Sequence, residues 1–281
     1  MSKRNNQERS GAPSPDTSAP PPAASPLDFV SPTEFVELPS KGIGYPDGHP
    51  LKGEEVIEIK FMTAKDEDIL TSQTLLKKGI ALERFMQNII VGDIDTKSLL
   101  VGDRNAIVVA ARASGYGNIY ETSVICPACG ERQEETYDIS KPQIHECAWT
   151  EDNKTIRKTD SGTFIVRTPM TNFDIELRLL NGKDELELAQ INTGKRKKKI
   201  AESLMTDQFK RMIVSISGYD DKQIINKYVD RMPAQDSRFL RSVYKTVCPN
   251  IRIVKDFTCN SCGHQQELEV PFGADFFWPD A

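Results

Sequence analysis

Apolar residues recur along this chain in two periods, and the change between them marks out the elements. Residues 35–46 read as a short extended piece running into a Gly/Pro turn, and Val56, Ile57 and Ile59 among Glu55, Glu58 and Lys60 predict a strand. Thr63 followed by Asp66 predicts a helix N-terminus, with its stop at Lys77, Lys78 and Gly79. Leu82, Phe85, Met86 and Ile89 fall at i, i+3, i+4 and i+7, one face of a second helix. A third helix is predicted from Asp103 to Ser114, ended by Gly115; its centre, residues 106–111, is apolar all round and should be buried.

The period then falls to two. Tyr120, Thr122 and Val124 alternate with polar residues and enter Cys126-Pro127-Ala128-Cys129-Gly130, which a polar strand through Thr136 and Tyr137 leaves. A hairpin is predicted over residues 155–167, turning at Asp160-Ser161-Gly162. From Asp184 to Thr246 the pattern is helical, with faces at Met205, Phe209 and Met212, at Ile224, Ile225, Tyr228 and Val229, and at Phe239, Leu240, Val243 and Tyr244 after Pro233. Strand character returns at residues 251–254 and enters Cys259-Asn260-Ser261-Cys262-Gly263. The chain ends on Phe276, Phe277 and Trp278, three aromatics that could fold onto the core or fill a pocket on a partner.

Two strand–CxxCG–strand units form an internal repeat. Two residues between cysteines let a tight turn aim both thiolates at one ion, and the glycine after the second permits the left-handed backbone that frees the turn. Each knuckle supplies two ligands and tetrahedral Zn²⁺ takes four, so Cys126, Cys129, Cys259 and Cys262 are the expected set around one structural zinc. A thioredoxin-like redox pair would place a helix after the motif, whereas polar strands follow both; two separate half-filled sites are the other alternative. His145 and His264 are nearby substitutes for a ligand, and Cys147 and Cys248 read as small buried side chains. The expected fold is α+β: helical segments inserted between the two β-knuckles of a split zinc ribbon.

Composition bounds this picture. Seven of the seventeen prolines fall within residues 1–32, a Pro/Ser/Ala-rich segment expected to be a disordered tail. Residues 33–119 are then an N-terminal strand, turn and helical segment and 120–281 the split ribbon, or 33–281 form one domain. No apolar run is long enough to span a bilayer and no apolar core follows the charged N-terminus, so neither a membrane protein nor an exported one is expected. Six cysteines in 281 residues are too sparse for a disulfide framework.

Catalytic signatures are missing from the three histidines, no phosphate-binding Gly-rich loop is present, and Asp93, Asp95 and Asp103 read as caps and turns. No enzyme activity and no small-molecule substrate is expected. A net charge of −5 and acidic flanks on both knuckles argue against nucleic acid, the lone basic run at residues 195–199 reading as a solvated loop or helix start. A zinc-ribbon nucleic-acid-binding or transcription-related factor is the alternative class.

Several local sequences add a resemblance. Residues 36–42 (VELPSKG), Tyr45-Pro46, residues 62–70 (MTAKDEDIL), residues 75–79 (LLKKG), Gly102-Asp103-Arg104, Ala111-Arg112, Tyr116-Gly117 and the first knuckle follow in an order that resembles the baseplate hub proteins of T4-type contractile phages. The second knuckle with residues 275–279 (DFFWP) is similar to the end of the longer, zinc-containing members. The resemblance implies a non-enzymatic role in virion assembly, as a hub component or assembly factor contacting other baseplate and tail proteins. It also implies residence in the host cytoplasm during assembly and, if the chain is retained, in the virion tail baseplate.

Overall fold

In a computed structural model the described residues are 32–150, 155–197, 203–273 and 276–277, so the tail expected over residues 1–32 lies outside them, Pro32 excepted. Val36, Ile57 and Ile59 alternate with charged neighbours, and β1 (Thr33–Glu37) and β2 (Val56–Lys60) accordingly pair antiparallel with those three side chains buried. The link between the strands turns through Lys41 and Gly42, both at positive φ. A Cβ on Gly42 would sit 2.2 Å from the Gly53 nitrogen, so this close approach of two backbone segments requires glycine.

Thr63 opens the helical part as expected. Its N–H and hydroxyl donate to the Asp66 carboxylate at 2.9 and 2.7 Å, and Asn88 donates to the same carboxylate at 2.6 Å. The single helix expected from there to Gly79 is two, α1 (Ala64–Thr71) and α2 (Gln73–Lys78). The chain turns extended at Ser72 while the Thr71 hydroxyl bonds back to the Glu67 carbonyl. α3 (Ala81–Ile89) buries Phe85, Met86 and Ile89 as its period requires. α4 (Val101–Tyr116) is the buried central helix; it runs through Gly115, and Gly117 at φ 84° ends it instead.

β3 (Ile119–Ile125) and β4 (Arg132–Asp138) form the first knuckle hairpin, followed by the short β5 (Gln143–His145). The expected hairpin at 155–167 is β6 (Ile156–Lys158) and β7 (Phe164–Arg167), joined by β8 (Asp174–Leu177). Two helices, α5 (Gly182–Lys197) and α6 (Leu204–Met212), lead to β9 (Ile213–Ile216), which completes an antiparallel sheet in the order β6-β7-β8-β9. β9 corrects the expectation of helix throughout 184–246. Ile213 and Ile216 are buried against Leu177 and Ile175 of β8, pairing that local periodicity does not encode. α7 (Lys222–Val229) and α8 (Ala234–Val247) follow. β10 (Asn250–Arg252) then returns to pair with β5, and β11 (Val254–Thr258) and β12 (Gln265–Glu269) form the second knuckle hairpin.

The fold is thus a mixture of helices and small antiparallel sheets, and the insert between the knuckles carries a four-stranded sheet as well as helices. One apolar core runs through both halves of the chain, from Val36 and Leu38 through α3, α4 and the four-stranded sheet to α8. Among the described residues, no helix is long and apolar enough to cross a membrane.

Candidate metal centre

The two hairpin turns repeat one geometry. In the first, the Cys126 N–H donates to the Glu131 carbonyl at 2.8 Å and the Gly130 N–H to the Cys126 carbonyl at 2.9 Å. In the second, Cys259 bonds to His264 at 2.9 Å and Gly263 to Cys259 at 2.9 Å. Gly130 and Gly263 both take positive φ, 77° and 71°, the left-handed step expected of a knuckle glycine.

Folding brings the turns together. The sulfurs of Cys126, Cys129, Cys259 and Cys262 all lie within 4.8 Å of one another, with Cys126–Cys262 at 3.8 Å and Cys129–Cys259 at 3.6 Å. A regular tetrahedron of thiolates about 2.3 Å from zinc has edges of about 3.8 Å, so the donor set fits such an ion in number, chemistry and spacing. Each knuckle contributes one buried cysteine, Cys126 or Cys259, and one exposed, Cys129 or Cys262. Phe257 lies with Cys126 and Cys259 in a small apolar cluster separate from the main core, covered by Val124 and Leu268.

Backbone N–H groups reach three of these sulfurs. N–H groups of Cys262 and Ser261 donate to Cys259 and hold its thiol down to about 6. The Glu131 N–H acts in the same sense on Cys129 and that of His264 on Cys262, but neighbouring cysteine sulfurs and burial raise both thiols, Cys129 to about 12. Four such groups cannot all ionise side by side without a cation among them, and a divalent ion would supply it. Polar contacts also cross between the hairpins. Gln133 donates to the Thr258 carbonyl at 3.2 Å and accepts from the Asn260 N–H at 2.9 Å, and Lys255 pairs with Glu135 at 2.7 Å, drawing its carboxyl below the usual range.

A second cluster, with no metal chemistry, joins the turn at residues 38–46 to the start of α4. Asp103 is fully buried and accepts from the Ser40 N–H (3.0 Å), the Ser40 hydroxyl (2.7 Å) and the Tyr45 hydroxyl (2.8 Å). Tyr45 in turn accepts the Leu100 N–H at 3.1 Å. Beside it Arg104 meets Glu83 and the Thr96 carbonyl, each at 2.9 Å, packed against Gly182, where a Cβ would collide with the guanidinium. Asp103 is therefore a buried acceptor rather than the cap or turn residue expected; Asp95 does cap a short turn, accepting from Lys97.

The sequence from residue 33 to residue 278 matches the family described as T4 bacteriophage base plate protein. The chain belongs to that family. Comparison with curated proteins and with solved structures yields no match.

For a base plate protein, the remaining sequence-predicted residues fall as follows. The His264 ring bonds to Gln266 and the His145 ring to the Lys245 carbonyl, and neither imidazole joins the four sulfurs. Cys147 and Cys248 pack against the main core. Phe276 and Phe277, offered as partner-binding aromatics, are instead buried at 1% and 2% exposure. Phe276 meets Tyr120 at a tilt and Phe272 edge-on, and Phe277 meets Phe85 of α3 edge-on, so both rings have a seat within the chain. Trp278 lies outside the described residues. The basic run begins as the last turn of α5, where Lys195 is tied to Asp207; residues 198 and 199 lie outside the described residues.

Proposed function

We propose that this base plate protein is a non-enzymatic structural or assembly component of the hub region of a contractile phage tail. It acts through contacts with other baseplate and tail proteins and carries one structural zinc ion on Cys126, Cys129, Cys259 and Cys262. The family match over residues 33–278 carries the baseplate reading. The hub position rests on the resemblance of residues 36–46, 62–70 and 102–104 to hub proteins. The zinc rests on the four converging sulfurs.

Four protein thiolates leave no coordination position for water, so the ion is structural. In finger peptides such sites contribute on the order of 10–16 kcal/mol at neutral pH. Here the ion would pin the β3–β4 hairpin to the β11–β12 hairpin, a long-range link suited to a part that must keep its shape under the load of contraction. Fractionation of tail assembly intermediates with mass-spectrometric detection of the chain tests the baseplate reading. Recovery with hub-containing intermediates supports it, and absence from every intermediate and from finished baseplates refutes it. Mature virions that lack the chain while intermediates hold it would assign it to assembly alone.

A further inference from the structure

A groove of about 530 Å³ opens between α6, α8 and the β5–β10 ladder. Its floor belongs to the main core: Phe209 and Met212 are 3% and 4% exposed, and Leu180 packs against them. Its walls are apolar but uncovered, with Ile144 on β5 and Met205 on α6 each about half exposed (51% and 49%). Methionines at such a surface adapt to the shape of an incoming apolar face.

The charge of the groove is one-sided. Among the described residues no carboxylate lines it, although the whole chain is acidic, and its charged residues are Arg241, Lys245 and Arg252. Glu267 and Glu269 already pair with Arg252, at 3.3 and 2.8 Å. Among the described residues neither Arg241 nor Lys245 has a carboxylate partner; the Arg241 guanidinium reaches only the Met205 sulfur, at 3.8 Å. The two stand at i and i+4 on α8, which sets them about 6 Å apart along the helix axis. Carboxylates at i and i+4 of a helix laid alongside have the same spacing. A phosphate backbone would call for a longer row of cations.

We propose that this groove docks an acidic amphipathic helix of another protein, its apolar face on Phe209, Met212 and Met205 and its carboxylates on Arg241 and Lys245. That the helix comes from another base plate protein rests on the proposed function; the chemistry of the groove does not.

The test is fluorescence anisotropy of two labelled designed peptides against the full chain. Both carry Leu at i, i+3 and i+7; one has Glu at two positions four apart and the other has Lys there. The Glu peptide is expected to bind, with the Lys peptide at least tenfold weaker. Arg241→Glu combined with Lys245→Glu, both exposed positions, should reverse that order. Met205→Asp should weaken the Glu peptide by about tenfold, while the circular dichroism of both variants stays that of the parent. No binding of the Glu peptide, equal binding of the two, or an order unchanged by the charge reversal overturns the proposal. So does a dimer in sedimentation that the charge reversal abolishes, which would assign the groove to a second copy. Absence of the chain from tail intermediates would sink the baseplate reading and leave the peptide result standing, so the two failures are distinguishable.

Discussion

The Tyr45 hydroxyl is the point at which the buried polar cluster is most exposed to a single-atom test. It is 2% exposed, donates to Asp103 at 2.8 Å and accepts the Leu100 N–H at 3.1 Å. Burial, followed by the adjacent Asp103 charge, pushes its phenol far above the ordinary value, so it is a neutral donor at any working pH. Tyr45→Phe deletes one oxygen and leaves the ring in place. The Leu100 N–H then loses its partner in a dry site, which costs about 1–3 kcal/mol, and Asp103 loses one of three charge-assisted bonds, worth about 1.5–3 kcal/mol. The two losses share one atom and partly overlap, so the expected destabilisation is about 3 kcal/mol. For a domain of this size each kcal/mol lowers Tm by about 2–4 °C, so Tm should fall by about 6–12 °C. Urea unfolding followed by circular dichroism gives the free energy directly, with Tyr219→Phe as the control, since that ring is 65% exposed. A Tyr45→Phe variant within about 0.5 kcal/mol of the parent, or no worse than the control, would refute the reading of this cluster as a buried structural node.

Three further outcomes follow from the same geometry. Metal analysis of the purified chain should give about one zinc per molecule, and Cys259→Ser should abolish it and speed amide exchange around Cys126 as well as Cys259; unchanged exchange at residues 119–138 would disprove a shared site. Gly102→Ala should destabilise by about 3 kcal/mol or more in chemical denaturation, since a Cβ there would lie 2.1 Å from the Pro249 carbonyl oxygen, a backbone atom that cannot swing away. Phe277→Ala should cost about 3–5 kcal/mol in the isolated chain, whereas a ring reserved for a partner would leave its Tm unchanged.

Local chemistry was legible in the sequence wherever spacing alone specifies it. The CxxCG knuckles, the Thr63–Asp66 helix start, the Gly79 stop and the apolar faces of α3, α4, α6 and α8 depend on residues a few positions apart, and the structure realises them. The places where the pattern misled are those where distant chain decides. β9 is a short apolar run whose state is set by pairing with β8, and α1 and α2 part at a serine that only its surroundings make extended. Asp103 looked like a cap because its three donors lie about sixty residues away in sequence. Phe276 and Phe277 could not be assigned from their own neighbourhood, since an aromatic pair is equally suited to a core and to an interface until the opposing face is known.

By itself, then, the sequence determined which residues could hold a metal, because ligand type and turn spacing are local properties. Whether the two halves meet was decided only by the tertiary structure. Cys126 and Cys129 lie beside Cys259 and Cys262 because the packing of the insert's sheet and helices into one core returns β10 alongside β5. The groove beside that ladder has the same origin. Its cations Arg241 and Lys245 are four positions apart in sequence, but its apolar floor and walls are drawn from four separate stretches of chain.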